Sequence, residues 1–193
     1  LSHRVPEDIN FAIVRENNEG EYSEIGGRLY EGTPGELAVQ QSVFTREGVD
    51  RVMRYAFKFA RTRSARHLTS ATKSNGIIHT MPFWDERFEK MAGSYPDVRT
   101  DEYHIDILAA HLVQHPDWFD VIVASNLFGD ILSDEAGVLI GSLGMLPSAS
   151  LAYSRDESKR NRVGLYEPIH GSAPDIAGKS IANPIGIILS AAL

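Results

Sequence analysis

Short apolar segments alternate along this chain with longer segments in which apolar residues recur at helical spacing. The short segments predict strands over 9–16, 67–72, 119–125 and 163–170. The longer segments and their capping residues predict helices over 46–63, 106–115 and 130–140, with two more that begin at Pro82 and at Asn183-Pro184. Strands that alternate with helices indicate an α/β fold.

Three of these helices have an apolar side that predicts part of the core. Thr45 is a suitable N-cap for the helix at 46–63. Its apolar side comprises Val49, Val52, Met53, Ala56, Phe57 and Ala60. The helix at Pro82 carries Trp84, Phe88 and Met91. The helix at 106–115 has Ile107, Leu108 and Leu112 on its apolar side, with Ile105 as a further candidate.

A segment rich in glycine and turn residues separates the first strand from the first helix. Residues 22–35 are followed by an extended stretch at 36–45, and the two predict a projecting hairpin or arm. A second stretch rich in Gly, Ser and Pro, at 141–150, is a candidate boundary between two lobes. The predicted lobes are 1–141 and 142–193.

The composition excludes several classes of protein. Acidic residues outnumber basic ones by 26 to 19, and the net charge of −7 argues against a general binder of nucleic acid. The chain has no cysteine, which excludes disulfides and thiolate metal sites and fits a cytoplasmic protein. No apolar run is long enough to predict a membrane span. The chain begins at Leu1 and ends within an apolar segment, so it is interpreted as an internal fragment.

The sequence NLFGDILSDEAG, at 126–137, contains two aspartates four residues apart. Asp130 and Asp134 would lie on one face of a helix, where their like charges repel unless a cation binds them. A hard divalent cation such as Mg²⁺ or Mn²⁺ prefers these oxygen ligands. The alternative is an ordinary helix start, where acidic side chains interact favourably with the helix dipole.

Two histidines in HLVQH also have a spacing found in metal sites. His111 and His115 have the spacing of a zinc pair, but no third ligand lies near them and Pro116 marks the end of the helix. Simple exposure on the helix is the favoured interpretation.

The stretch EPIHGSAPDIAGKSIANP, at 167–184, places small residues after a predicted strand. Small residues allow a ligand to approach the backbone, whose N–H groups can bind phosphate. Asp175 could accept hydrogen bonds from ribose hydroxyls. No G-x-G-x-x-G sequence occurs, so an ordinary Rossmann site is not predicted. A purely structural turn remains the alternative.

Five segments together resemble the β-decarboxylating dehydrogenases, the family of isocitrate and isopropylmalate dehydrogenases. They are VRENNEGEY at 14–22, TSATKSN at 69–75, HID at 104–106, and the two stretches at 126–137 and 167–184. The resemblance covers nearly the whole chain. It implies the family's two-lobed α/β fold, distinct from a Rossmann domain, with N-terminal and C-terminal parts missing. Residues 1–141 would be the substrate, metal and dimerisation lobe, and 142–193 part of the cofactor lobe.

The same resemblance implies roles for particular residues. Arg15 corresponds to the arginine that binds a substrate carboxylate, Tyr22 to the tyrosine that protonates the enol, and Lys73 to the lysine that takes the hydroxyl proton. The metal-binding aspartates would be Asp106, Asp130 and Asp134. Because the lysine and the first aspartate come from the neighbouring subunit in the family, a homodimer with shared sites is implied, and the arm at 22–43 would be its clasp.

The implied cofactors are NAD and Mn²⁺ or Mg²⁺, with K⁺ as an optional further ion. The family's cofactor-binding positions correspond to Asn75, His170, Gly171, Ser172, Ala173, Asp175, Ile176 and Asn183. An acidic residue beside the ribose would repel a 2′-phosphate, so NAD is expected over NADP.

The stretch RENNEGEYS most resembles the tartrate and D-malate dehydrogenase branch. The expected reaction is therefore the NAD-linked oxidative decarboxylation of a small 2-hydroxy dicarboxylic acid, D-malate or tartrate. Glu19 and Glu21 indicate a small polar substrate, and 3-isopropylmalate is the alternative within the family. A non-catalytic oligomerisation subunit or truncated homologue is an alternative of another class. A Mg²⁺-dependent diphosphate enzyme is a third, but it leaves Lys73 and Tyr22 unexplained.

Overall fold

The computed structural model describes residues 9–152 and 164–193. The chain divides into two compact units, Leu1–Asp130 and Ile131–Leu193. The division lies within a helix, whereas the sequence placed a lobe boundary at 141–142. The two units are described separately below.

The first unit contains a four-stranded parallel sheet. Its strands are β1 (Ala12–Arg15), β4 (His67–Thr72), β5 (Arg99–His104) and β6 (Val121–Ala124), in the order β1-β6-β4-β5. The helices that follow these strands are α1 (Arg46–Thr62), α2 (Thr80–Ala92), α3 (Ile105–Gln114) and α4 (Asn126–Leu139), the last of which crosses into the second unit. The α/β class predicted from the sequence is confirmed.

Helix α1 forms as the sequence predicts. The side chain of Thr45 accepts a hydrogen bond from the backbone N–H of Gly48 and caps the helix. All six predicted apolar residues of α1 are buried. The ring of Phe57 lies 5.4 Å from that of Phe88 and 5.0 Å from that of Tyr95, so α1 and α2 share an aromatic cluster.

Several local features differ from the sequence predictions. Ile107 was placed on the apolar side of α3 but is 44% exposed, while Leu108 and Leu112 are fully buried. In α2, Trp84 and Phe88 are buried and Met91 is partly buried. Strand β5 was not predicted, because its sequence RTDEYH has no run of apolar residues. It is an edge strand that pairs only with β4, and such a strand can be polar because it packs against fewer neighbours.

The predicted arm is present as an exposed hairpin. Strands β2 (Gly26–Leu29) and β3 (Leu37–Gln40) pair in antiparallel register, and every residue of both strands is exposed. Several large apolar side chains of the arm are among the exposed ones: Ile25, Leu29, Tyr30, Leu37 and Val39.

The second unit contains an antiparallel pair of strands and a short helix. Strands β7 (Pro147–Leu151) and β8 (Gly164–Pro168) pair with each other, and α5 (Ile185–Ser190) packs beside them. Buried Ser190 joins the three elements, since its hydroxyl donates to the carbonyl of Glu167 and accepts from the N–H of Ser148. Asn183 accepts a hydrogen bond from the N–H of Ile185, which confirms its predicted role at the start of α5. In 9–152 and 164–193, no helix has the length and apolarity that a membrane crossing requires.

Four carboxyl groups lie close together where β5 passes α2. Glu102 is affected by Asp85 and Glu89 of α2 and by Asp101 beside it on β5. Desolvation and repulsion from these carboxylates raise the pKa of Glu102 to about 7. The native state therefore keeps a proton on Glu102 at pH values where the unfolded chain has lost it.

This pKa predicts a dependence of stability on pH. A raised carboxyl pKa means that the free energy of unfolding falls as the pH rises from the unfolded value of 4.5 to about 7 and is level above that. Glu102→Gln should therefore be more stable than the wild type at pH 8 and equal to it at pH 4. Urea denaturation across this range would measure the difference, with Glu24→Gln in the exposed segment before β2 as the control. Equal stability of wild type and Glu102→Gln at pH 8 would contradict the prediction.

Candidate active site

The predicted site residues of the first unit all follow strands of the parallel sheet. Arg15 ends β1, Lys73 follows β4, Asp106 lies in the first turn of α3 after β5, and Asp130 lies in α4 after β6. Parallel strands end at the same edge of a sheet, and open α/β proteins bind ligands there. Because β1 adjoins β6 and β4 adjoins β5, the strand order groups these residues in two pairs.

The first pair joins the end of β1 to the first turns of α4. The guanidinium of Arg15 donates to Asn126 Oδ1 from Nε at 3.1 Å and from Nη2 at 2.7 Å. Its Nη1 donates to Asp130 Oδ1 at 2.6 Å. Charge-assisted bonds of this kind are stronger than neutral ones, and three of them fix the plane of the guanidinium. Sequence reasoning missed Asn126, although an asparagine that follows a strand and precedes a helical pattern is a recognisable polar signal.

Tyr22 joins the same cluster from the loop after β1. Its hydroxyl donates to Asp130 Oδ2 at 3.1 Å, so Arg15 and Tyr22 bind different oxygens of one carboxylate. Partial desolvation of the hydroxyl, followed by its hydrogen bond to Asp130 and the charge of that carboxylate, raises the pKa of Tyr22. Because this pKa is raised, the phenol keeps its proton at neutral pH. Tyr22 is also 52% exposed, so it is open to a ligand.

Gly129 leaves the space that this cluster needs. A Cβ atom at this position would lie 2.6 Å from Cγ and 2.8 Å from Cβ of Arg15. Only glycine therefore allows the arginine stem to pass this close to α4. The close packing of Arg15 therefore explains why a glycine precedes Asp130 in the sequence.

The acidic residues between Arg15 and Tyr22 attach their loop to two helices. Glu16 is buried and binds Arg51 of α1 at 2.7 Å. Glu19 accepts hydrogen bonds from the N–H and the hydroxyl of Thr45, at the start of α1. Glu21 accepts from the hydroxyl of Ser125 at 2.6 Å and from the N–H of Leu127 at 3.1 Å, at the start of α4.

These contacts correct two expectations. Helix α4 begins at Asn126, four residues before the predicted start at Asp130. The carboxylate of Glu21 provides an acceptor for a first-turn N–H there. Glu19 and Glu21 also do not indicate the polarity of a substrate, because the hydrogen bonds of both carboxylates go to helix starts.

The second pair joins the ends of β4 and β5. Lys73 Nζ donates to Asp106 Oδ1 at 2.7 Å. This hydrogen bond lowers the pKa of Asp106, whose side chain is 67% exposed. Lys73 is less exposed, at 28%, so the pair presents its carboxylate outward. Asn75, in the turn that follows, is exposed.

The predicted metal ligands lie in two places. Asp134 follows Asp130 by one turn of α4, and two carboxylates at this spacing suit Mg²⁺ or Mn²⁺. Asp106 lies with Lys73, and no three Asp, Glu or His side chains of the described ranges gather in a group able to hold a metal. The donor chemistry therefore fits a divalent cation, whereas one chain does not complete the predicted set of three. Nothing in the described part of the chain supports the expected K⁺.

The two histidines of α3 make aromatic contacts. The ring of His115 stacks on Trp118 at 4.1 Å between centroids, and the ring of His111 lies 5.1 Å from the same indole. Both histidines are only partly exposed. They pack against an aromatic side chain and are not simply exposed on the helix as the sequence suggested.

The predicted cofactor loop of the second unit is partly exposed. Gly171, Ser172 and Asp175 are exposed, while His170, Ala173, Ile176 and Asn183 are partly buried. Ala173 has a left-handed φ of 43° and precedes a single 3₁₀ turn, Pro174–Ile176. A non-glycine residue in this conformation marks a defined turn, and such strain often occurs where a backbone binds a ligand.

The family profile described as isocitrate/isopropylmalate dehydrogenase matches residues 1–193, and the chain belongs to this family. The family predicted from the five sequence segments is thereby confirmed.

Several characterised proteins are similar to this chain. It is 56% identical over 193 residues to the D-malate dehydrogenase (decarboxylating) of Escherichia coli (strain K12), covering 100% of this chain and 52% of that protein. It is 55% identical over 194 residues to the tartrate dehydrogenase/decarboxylase of Pseudomonas putida, with the same coverage of 100% and 52%. The chain thus spans about half the length of these relatives.

The fold is also similar to a solved structure of the family. The crystal structure of isocitrate dehydrogenase from Methylococcus capsulatus superposes with a TM-score of 0.82 at 39% identity. The match covers 93% of this chain and 51% of that one.

The contact between Gly129 and Arg15 predicts a specific cost of adding one methyl group. Gly129→Ala should displace Arg15 from Asn126 and Asp130 and lower the free energy of unfolding by about 1–3 kcal/mol. Gly93→Ala is the matched control, because Gly93 has right-handed helical φ and a Cβ there would meet only Lys90 O, at 3.5 Å. Chemical denaturation of both variants would measure the difference. A Gly129→Ala variant as stable as Gly93→Ala would show that the close approach has no cost.

Proposed function

We propose that the chain is part of a metal-dependent, NAD-linked dehydrogenase that oxidatively decarboxylates a small 2-hydroxy dicarboxylic acid. The observation that supports this most is the grouping of its acid, base and cation-binding side chains in two pairs at the carboxyl edge of one sheet. D-malate or tartrate is the proposed substrate, because the two relatives above, at 55% and 56% identity, are named for these acids.

The proposed active site combines the two pairs from different copies of the chain. One copy contributes Arg15, Tyr22, Asp130 and Asp134, and the other contributes Lys73 and Asp106. This arrangement brings a third carboxylate to the two on α4, which one chain does not do by itself. The exposed apolar side chains of the arm fit a surface that a second copy covers.

Each residue has a chemical task in this proposal. Arg15 binds a substrate carboxylate, since Nη1 and Nη2 each carry a second hydrogen beyond the one used in the cluster. Lys73, as the neutral amine, would receive the proton of the substrate hydroxyl, and a bound NAD would supply the hydride acceptor. Tyr22 then gives its proton to the carbon that has lost carbon dioxide. The divalent cation, when bound, supplies Lewis-acid stabilisation of negative charge on substrate oxygens.

The proposed adenosine site is the loop after β8. Gly171 and Ser172 are exposed and have small side chains, so the nucleotide could approach their backbone. Asp175 would accept hydrogen bonds from the ribose. The negative charge of Asp175 would repel a 2′-phosphate, so NAD is proposed over NADP.

The reaction can be tested with the full-length protein. NADH formation from D-malate, L-tartrate, 3-isopropylmalate and isocitrate would be followed with Mn²⁺ and NAD, with and without a chelator. Chelator-sensitive NADH from D-malate or tartrate is expected. A preference for 3-isopropylmalate or isocitrate would keep the mechanism and overturn the substrate. If none of the four acids gave NADH, the proposal would fail, and a non-catalytic oligomerisation subunit would be favoured.

The metal assignment predicts the behaviour of an aspartate variant. Asp130→Asn should abolish turnover, and it should lose the stabilisation that Mn²⁺ gives the wild type. That stabilisation is about 2.7 kcal/mol when the Mn²⁺ concentration is about 100 times its dissociation constant. Thermal unfolding with and without Mn²⁺ would measure it. Asp117→Asn, in the exposed turn after α3, is the control and should respond to Mn²⁺ as the wild type does. Normal activity of Asp130→Asn would refute the assignment.

A further inference from the structure

Glu21 connects two parts of the candidate site, the loop that carries Tyr22 and the start of α4. It immediately precedes Tyr22, and its carboxylate bridges the hydroxyl of Ser125 and the backbone N–H of Leu127. Both partners lie at the N-terminus of α4, the helix that carries Asp130. A carboxylate at this end of a helix interacts favourably with unpaired N–H groups and with the helix dipole. Glu21 therefore attaches the loop to a helix that lies more than a hundred residues away in the sequence.

Tyr22 needs such an attachment, because little packing holds it. Tyr22 is 52% exposed, and its hydroxyl donates a hydrogen bond to Asp130. On the other side of Glu21, Gly20 is held to Val43 by two backbone hydrogen bonds of 2.9 and 3.1 Å. The carboxylate of Glu21 is therefore the nearest fixed point on the side of α4.

We propose that Glu21 is a positioning residue that holds the proton-donating Tyr22 in register with Asp130 by fastening its loop to the start of α4. Glu21 binds at Leu127 and Tyr22 binds at Asp130, three residues further along the same helix. Two attachments to one rigid helix fix both the place and the direction of the tyrosine. This inference rests on the proposed function, in which Tyr22 donates a proton.

The chain contains a matched control two residues away. Glu19 lies in the same loop and its carboxylate also binds a helix start, but the helix is α1 rather than α4. Glu19→Gln therefore removes the same charge and a similar capping interaction without touching the attachment to α4.

The test compares Glu21→Gln, Glu21→Ala and Glu19→Gln in the full-length protein. Glu21→Ala should lower kcat by roughly ten- to a hundredfold with little change in KM, because a small misplacement of a reacting group has an effect of this size. Glu21→Gln keeps the shape of the side chain and one oxygen acceptor, so it should retain more activity than Glu21→Ala. Glu19→Gln should keep the kcat of the wild type.

A second readout does not depend on turnover. The environment of Tyr22 can be followed by NMR of ¹³C-labelled tyrosine, with Tyr22→Phe to assign the signal. The chemical shift of Tyr22 should change in Glu21→Ala and stay as in the wild type in Glu19→Gln. An unchanged Tyr22 signal in Glu21→Ala, or equal loss of kcat in Glu19→Gln and Glu21→Gln, would overturn the role of Glu21. If the wild type itself gave no NADH, the proposed function would fail, and the NMR measurement alone would decide whether Glu21 positions Tyr22.

Discussion

The candidate site depends on how Arg15 ties the end of β1 to the first turns of α4. Its guanidinium lies between Asn126 and Asp130, and its stem passes the bare backbone of Gly129. This one side chain connects the end of the strand to the first turns of the helix. The other carboxylate oxygen of Asp130 accepts from Tyr22, so the arginine and the tyrosine share one carboxylate.

The acidic loop from Glu16 to Glu21 is attached at three points, of which only Glu21 reaches the helix that carries Asp130. Its three glutamates bind Arg51, Thr45 and the start of α4, so that one short segment connects two helices to the sheet. Buried or capping carboxylates of this kind act through specific partners, and their charge carries no information about the substrate. The substrate preference proposed for this protein rests instead on its similarity to named relatives.

The sequence predicted correctly those helices and strands that are determined by residues within or next to them. Helix α1 has its own N-cap in Thr45 and a regular apolar side, and both are as predicted. Strand β5 was missed because pairing with β4, rather than its own apolar pattern, holds it in the sheet. The start of α4 was misplaced because its capping carboxylate, Glu21, lies 106 residues from Leu127. Such long-range contacts leave no periodic pattern in the sequence.

The site residues were identified by a different route. Asp130 and Asp134 were visible from their helical spacing, but the roles of Arg15, Tyr22 and Lys73 came only from the resemblance to a family. The parallel sheet supplies the physical reason that residues so far apart in sequence belong together, since the strands they follow end at one edge. Asn126 and Glu21 were overlooked as parts of the site because their importance comes from contacts that only the fold creates.

The central claim is that two copies of the chain share each active site, and subunit mixing tests it most directly. Tyr22→Phe and Lys73→Met variants of the full-length protein, each inactive alone, would be unfolded together, refolded and assayed for NADH formation. If the sites are shared, a mixed dimer has one site with both residues intact, and random mixing should restore about a quarter of the wild-type activity. If Tyr22 and Lys73 of the same chain act together, the mixture would remain inactive, and the claim would be wrong.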